Sequence, residues 1–93
     1  MAVLVDNARA PYGRMLMSHM IADTPAELLD MAALIGVEAR HVQFPGTPKE
    51  HLDVCASRRE LAIAAGAVPV SSREIVRRVR ARRAAQGSGV AGC

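Results

Sequence analysis

Aromatic side chains are nearly absent from this 93-residue chain: Tyr12 and Phe44 are the only two, and there is no tryptophan. The apolar content of 51% is therefore carried by Ala, Val, Leu, Ile and Met, which predicts a thin aliphatic core and leaves no aromatics interleaved with the C-terminal arginines to stack nucleic-acid bases. Cysteine is also scarce. Cys55 and Cys93 fall in a helix-like segment and at the last residue, which is neither a disulfide framework nor a zinc spacing, so reduced thiols are expected. No apolar run approaches the roughly 18 residues that cross a bilayer. The longest, residues 61–70, has ten residues and contains Gly66 and Pro69. The N-terminus has no basic stretch ahead of an apolar core, and Asp6 interrupts the only candidate. A cytoplasmic protein without a membrane partner is the expectation.

The length allows one small domain, expected over residues 1–83, with a disordered Gly/Ser-containing tail over 84–93. So small an aliphatic core makes a marginal monomer or a homodimer the natural expectation. The net charge of +3 is unevenly placed. From Ser72 onward six arginines (Arg73, Arg77, Arg78, Arg80, Arg82, Arg83) oppose Glu74, a net of +5, whereas residues 1–71 carry six basic and eight acidic side chains, a net of −2. The body is mildly acidic and the C-terminal segment basic.

Three stretches share a helix-start signature: Thr24-Pro25-Ala26-Glu27, Thr47-Pro48-Lys49-Glu50 and Ser71-Ser72-Arg73-Glu74. Each puts a hydroxyl three residues before a glutamate, so the hydroxyl can accept from the third helical amide while the carboxylate reaches back. Between these starts lie β-like runs at 3–5, 41–44 and 67–70. The order β-α-β-α-β-α predicts an α/β fold with a small three-stranded parallel sheet, order 2-1-3, flanked by three helices. Pro69, which lacks an amide donor, places the third strand at an edge. The first helix is the clearest, with Leu28, Met31, Ala32 and Ile35 on one face and Gly36 as its stop. The second either runs on from Pro48 or makes one turn and starts again near Val54.

Polar chemistry gathers in residues 3–24, where neither helix nor strand periodicity holds. Asp6 ends an apolar run, and a Pro/Gly-containing loop carrying Arg9 and Arg14 follows, an arrangement that suits ligand binding at a strand tip. A structural ion pair between Asp6 and either arginine is the plainer reading. His19 and Asp23 stand between this loop and the first helix; His19 reads more readily as a satisfied structural histidine than as a catalytic one, and Asp23 also as a partner of the positive helix end. His51 and Asp53 share one side only if their backbone is extended, and diverge on a helix. The candidate ligand-binding residues are thus Asp6, Arg9, Arg14, His19 and Asp23, with His19, His51 and Asp53 as candidates for acid–base chemistry. Cys55 is read as a small helix residue, not a nucleophile. No cofactor is expected; a divalent metal held by His19, His51, Asp53 and Asp6 is the weaker reading, because no spacing here is metal-specific.

Val5-Asp6, Ala8-Arg9, Pro11, Gly13-Arg14-Met15, Met17-Ser18-His19-Met20, Ala22-Asp23-Thr24, Glu27-Leu28, His51, Asp53, Gly66-Ala67 and residues 71–76 together make the chain resemble the domain of unknown function 4031 family, over about residues 2–80. That resemblance implies an α/β domain of bacterial or bacteriophage origin and carries no activity with it. The residues themselves point to a small phosphate-bearing ligand, most simply a nucleotide, at the C-terminal edge of the sheet. The alternative is a non-enzymatic phage accessory protein that binds a host protein or nucleic acid through the arginine-rich C-terminal helix.

Overall fold

The computed structural model describes residues 2–91, with side chains through residue 85. Chain order is β1 (Val3–Val5), β2 (Ala10–Tyr12), β3 (Met15–Ala22), α1 (Pro25–Leu34), a 3-10 turn (Ala39–His41), β4 (Leu52–Cys55), α2 (Ala56–Ala64), β5 (Val68–Pro69) and α3 (Ser72–Ala91). The α/β class and the three helices agree with the sequence. The sheet does not: it has five strands of mixed direction in place of three parallel ones in order 2-1-3. The parallel pairing is β1 with β5, Leu4 opposite Val68, and β5 is an edge strand as Pro69 requires.

The long strand β3 organises the rest. It pairs antiparallel with β1 (Val5 opposite Met20), with β2 (Ala10 opposite Met17) and with β4 (His19 opposite Asp53). Met17 and Met20 each have a β4 partner as well as a partner in β2 or β1, so β4 occupies one edge of β3 while β1 and β2 share the other. β1 and β2 are in effect one strand, interrupted where residues 6–9 face only residues 18 and 19. The hairpin closes on Gly13 at φ +60°, the first central position of a two-residue turn, where a residue with a Cβ is strained. Periodicity missed β3 because Met20, Ile21 and Ala22 are all buried: this end of the strand is covered on both faces, which erases alternation.

Residue parity sorts the side chains. Val5, Met20, Ala22, Leu52 and Val54 form the main core with Leu28, Met31, Ala32 and Ile35 around α1 and Ala62 of α2. Leu4 and Ile21 turn to the other face, where Ile75 of α3 covers them. His19 and Asp53 lie further along that second face, beyond the stretch that Ile75 covers.

Two of the three capping signatures start helices. Thr24 Oγ1 accepts from the Glu27 amide at 3.2 Å, and Ser71 Oγ from the Glu74 amide at 3.2 Å. The second makes a single turn, with Glu50 N donating to Thr47 O at 3.0 Å. Glu50 is buried and accepts from Gly46 N at 2.9 Å, outside the turn. The chain then straightens, because Leu52 and Val54 alternate into the core as strand residues do. The strand expected at 41–44 is reduced to a bridge between Gln43 and His51. Of the tail expected at 84–93, the backbone through Ala91 continues α3 and the rest lies outside the described residues. Among the described residues, no helix is long and apolar enough to cross a membrane.

Glu74 binds two arginines of its own helix: Arg77 Nε at 2.9 Å and Arg78 Nε at 2.9 Å. The Arg77 guanidinium first, then that of Arg78, holds its carboxyl at about 2, below the ordinary 4.5. A depressed carboxyl stabilises the fold above its unfolded value and loses that contribution as pH falls from about 4.5 through about 2. Arg77→Ala should therefore raise the Glu74 pKa, and more than Arg78→Ala does, in a carboxyl-carbon NMR titration. An unmoved titration in both variants would contradict the assignment.

Candidate functional site

Asp6 follows β1 directly and is 1% exposed. Its amide donates to His19 O at 2.9 Å, as the β1/β3 ladder requires. The return bond is rerouted: the His19 amide donates to Asp6 Oδ1 at 2.8 Å, and the Asp6 carbonyl instead accepts from Arg59 Nε of α2 at 2.8 Å. Oδ1 also accepts from the Ala8 amide at 3.1 Å, an Asx-type turn that swings the chain into the bulge. Oδ2 accepts from His19 Nδ1 at 2.9 Å.

The imidazole of His19 is thereby oriented with Nδ1 toward Asp6 and Nε2 toward Asp53 Oδ1, at 3.9 Å. His51 approaches the same oxygen from the other side, Nε2 to Oδ1 at 3.4 Å, while its Nδ1 donates to Lys49 O at 2.7 Å. The two rings stand edge to face, 5.7 Å between centroids. Asp53 Oδ2 accepts from Gln43 Nε2 at 2.8 Å; Oδ1 is buried and has no hydrogen-bond donor. His51 and Asp53 are in extended backbone, so the sharper of the two sequence readings applies and both join His19. Phe44, at φ +51° in the left-handed region that a bulky side chain avoids, sets its ring 6.1 Å from that of His51.

The other candidates lie elsewhere. Arg9 is exposed and lines a cleft of about 350 Å³ with Asn7, Leu16, Ser18, Ala56 and Arg59. Leu16 and Ser18 have the opposite strand parity to His19, so this cleft belongs to the other face of the sheet. Arg14 is exposed in the hairpin turn. Asp23 accepts from the Ala2 amide at 2.9 Å and ties down the N-terminal end of β1; four residues of strand put it about 13 Å from His19. In α3, Arg77 and Arg78 are engaged by Glu74, and Arg82 donates to Ala22 O. Arg73, Arg80 and Arg83 are exposed.

The sequence does not single out Gln43, and it leaves Arg59, with Arg58, open between the site and the solvated arginine face. Nothing local marks Gln43, which the bridge to His51 brings beside Asp53. Arg59 is one turn into α2 beside Arg58, whose guanidinium binds Ile35 O at 2.6 Å and passes over Gly36, where a Cβ would come within 3.0 Å. Cys55 precedes α2, and its thiol is lowered by the hydrogen bond to Ser57 and, next, by the Arg58 amide.

The model of a family described as protein of unknown function (DUF4031) matches residues 3–82. No curated protein and no solved structure matches the chain.

Two consequences are measurable. Asp6→Ala leaves two amides and a ring N–H without their acceptor and should cost on the order of 3 kcal/mol in urea unfolding, with Asp6→Asn costing less. A wild-type midpoint for Asp6→Ala would deny the carboxylate its organising role. Ser57→Ala should raise the Cys55 thiol and slow its alkylation at neutral pH, read at the Cys55 peptide by mass spectrometry.

Proposed function

We propose that this chain, which belongs to the DUF4031 family, binds a small phosphate-bearing ligand, most simply a nucleotide, in the cleft at the C-terminal end of β1. The observation that carries the reading is the pairing of Arg9 and Arg59 along one cleft that also reaches Ala56, the first residue of α2. Guanidinium forks match phosphate oxygens two at a time, and the positive end of a helix favours the same charge. Arg59 is already held through Nε by the Asp6 carbonyl, so part of the ordering cost of its side chain is met before a ligand arrives. The Ser18 hydroxyl, which lines the same cleft, donates to Ala8 O at 2.7 Å and braces the loop that carries Arg9. In this arrangement Arg59 takes the part that sequence reading gave to Arg14.

Thermal unfolding with inorganic phosphate, nucleoside monophosphates and nucleoside triphosphates tests the reading. A ligand at a hundredfold excess over its Kd stabilises by about 2.7 kcal/mol, a shift of several degrees for a domain of this size. The shift should vanish in Arg9→Ala and in Arg59→Ala and persist in Arg14→Ala. No shift with any of these compounds, or an equal one in all three variants, would overturn it.

A further inference from the structure

On the opposite face of the sheet, the Asp6, His19, Asp53 and His51 cluster has a property that ordinary hydrogen bonding leaves unresolved. Each histidine places Nδ1 against an oxygen that can only accept, Asp6 Oδ2 for His19 and Lys49 O for His51. Both Nδ1 atoms therefore carry the hydrogen, and in the neutral rings both Nε2 atoms present lone pairs. Those lone pairs face Asp53 Oδ1, itself an acceptor, buried and without a donor. Two imidazole nitrogens thus stand near one carboxylate oxygen that has no donor.

We propose that His19 Nε2, His51 Nε2 and Asp53 Oδ1 are the ligands of a divalent transition-metal ion of the Zn²⁺ type. A tetrahedral ion with Zn–N and Zn–O bonds near 2.0–2.2 Å separates neighbouring ligand atoms by roughly 3.3–3.6 Å. The His51 to Asp53 separation of 3.4 Å already meets that, and the His19 to Asp53 separation of 3.9 Å needs a closing of about half an ångström. Among the described residues no group of three His, Cys, Asp or Glu side chains already stands in metal-binding geometry, so the site requires His19 to close on Asp53 when the ion binds. The supporting bonds are those that metal-bound histidines use: a carboxylate behind one Nδ1–H and a backbone carbonyl behind the other fix the tautomer and aim the ring. Gln43 does the same for Asp53 through Oδ2. Two imidazoles and one carboxylate suit Zn²⁺, Co²⁺ or Ni²⁺ and are poor for Mg²⁺ or Ca²⁺, which prefer oxygen throughout. The cleft lined by Tyr12, Met17, Val37, His41, Gln43 and Asp53 adjoins the cluster through Asp53. Asp6, whose carboxylate bonds to His19 and the Ala8 amide and stands behind the His19 ring, is a positioning residue.

This site does not depend on the phosphate reading, because the Arg9 and Arg59 cleft lies on the other face. The test uses tag-free full-length protein stripped with chelator, titrated with Zn²⁺ by calorimetry, and with Co²⁺ by visible absorption. One ion per chain is expected, with thermal stabilisation, a tetrahedral d–d band and no sulfur-to-cobalt charge transfer; Mg²⁺ should produce no stabilisation. His51→Gln and Asp53→Asn, checked for wild-type circular dichroism, should abolish the site. Asp6→Asn should weaken it about 10–100-fold. In case a variant unfolds, ¹⁵N NMR of the wild type gives an independent reading: Zn²⁺ should shift Nε2 of both His19 and His51 while Nδ1 remains protonated. The proposal is overturned by substoichiometric binding, by binding that survives His51→Gln but is lost in Cys55→Ser, or by imidazole spectra that respond to pH alone and not to Zn²⁺.

Discussion

The structure turns on one buried carboxylate. Asp6 accepts from the Ala8 amide, the His19 amide and the His19 ring, and each bond has a separate structural consequence. The first bends the chain out of β1. The second keeps β3 in register across the break, and the third fixes a histidine on the exposed part of a sheet face. Because the side chain has taken over the ladder bond, the Asp6 carbonyl is free to hold Arg59 and so to dock α2. Replacing the carboxylate with an apolar group would leave several buried donors unpaired, each costing about 1–3 kcal/mol, in a domain whose whole stability is of order 5–15 kcal/mol.

Strand parity then divides the polar chemistry into two sites. Residues that adjoin in sequence, such as Ser18 and His19, point to opposite faces, so the arginine cleft and the histidine cluster share a backbone and not a cavity. A linear reading of residues 3–24 merges them, because sequence proximity carries no sign. The bulge at 6–9 adds to the separation by sending Arg9 away from the Asp6 carboxylate with which it was first paired. Asp23 is placed still further off by the length of β3, at the end of the sheet where the N-terminus is tied down.

What was legible in the sequence was whatever depends on local signals. Thr24 and Ser71 cap their helices, Gly36 ends α1 at φ +77°, and Pro69 marks the edge strand. What escaped was decided by partners distant in sequence. Thr47 to Glu50 has the capping residues and makes their first turn, yet Leu52 and Val54 gain more by alternating into the core than by continuing a helix that would turn them partly outward. That preference carried the candidate site with it, since His51 and Asp53 converge only on extended backbone. β3 was hidden for the opposite reason: burial on both faces at its C-terminal end removed the period that would have announced it. The family resemblance was sound over residues 3–82 and brought no chemistry, so the assignment of faces had to come from the fold.

The remaining asymmetry is energetic. The core is aliphatic and small, α3 covers the second face only at its Leu4 and Ile21 end, and the rest of that face could have been filled with further apolar residues at a gain in stability. Instead it carries two histidines and an aspartate arranged around an acceptor that no donor satisfies. Local rules of polar satisfaction are met almost everywhere around it: the His19 and His51 Nδ1 atoms, both oxygens of Asp6 and Asp53 Oδ2 all have partners. A network completed on every outer bond and left open at its single inner point is what a bound cation requires of its surroundings, since the ion supplies the positive charge on which the lone pairs converge.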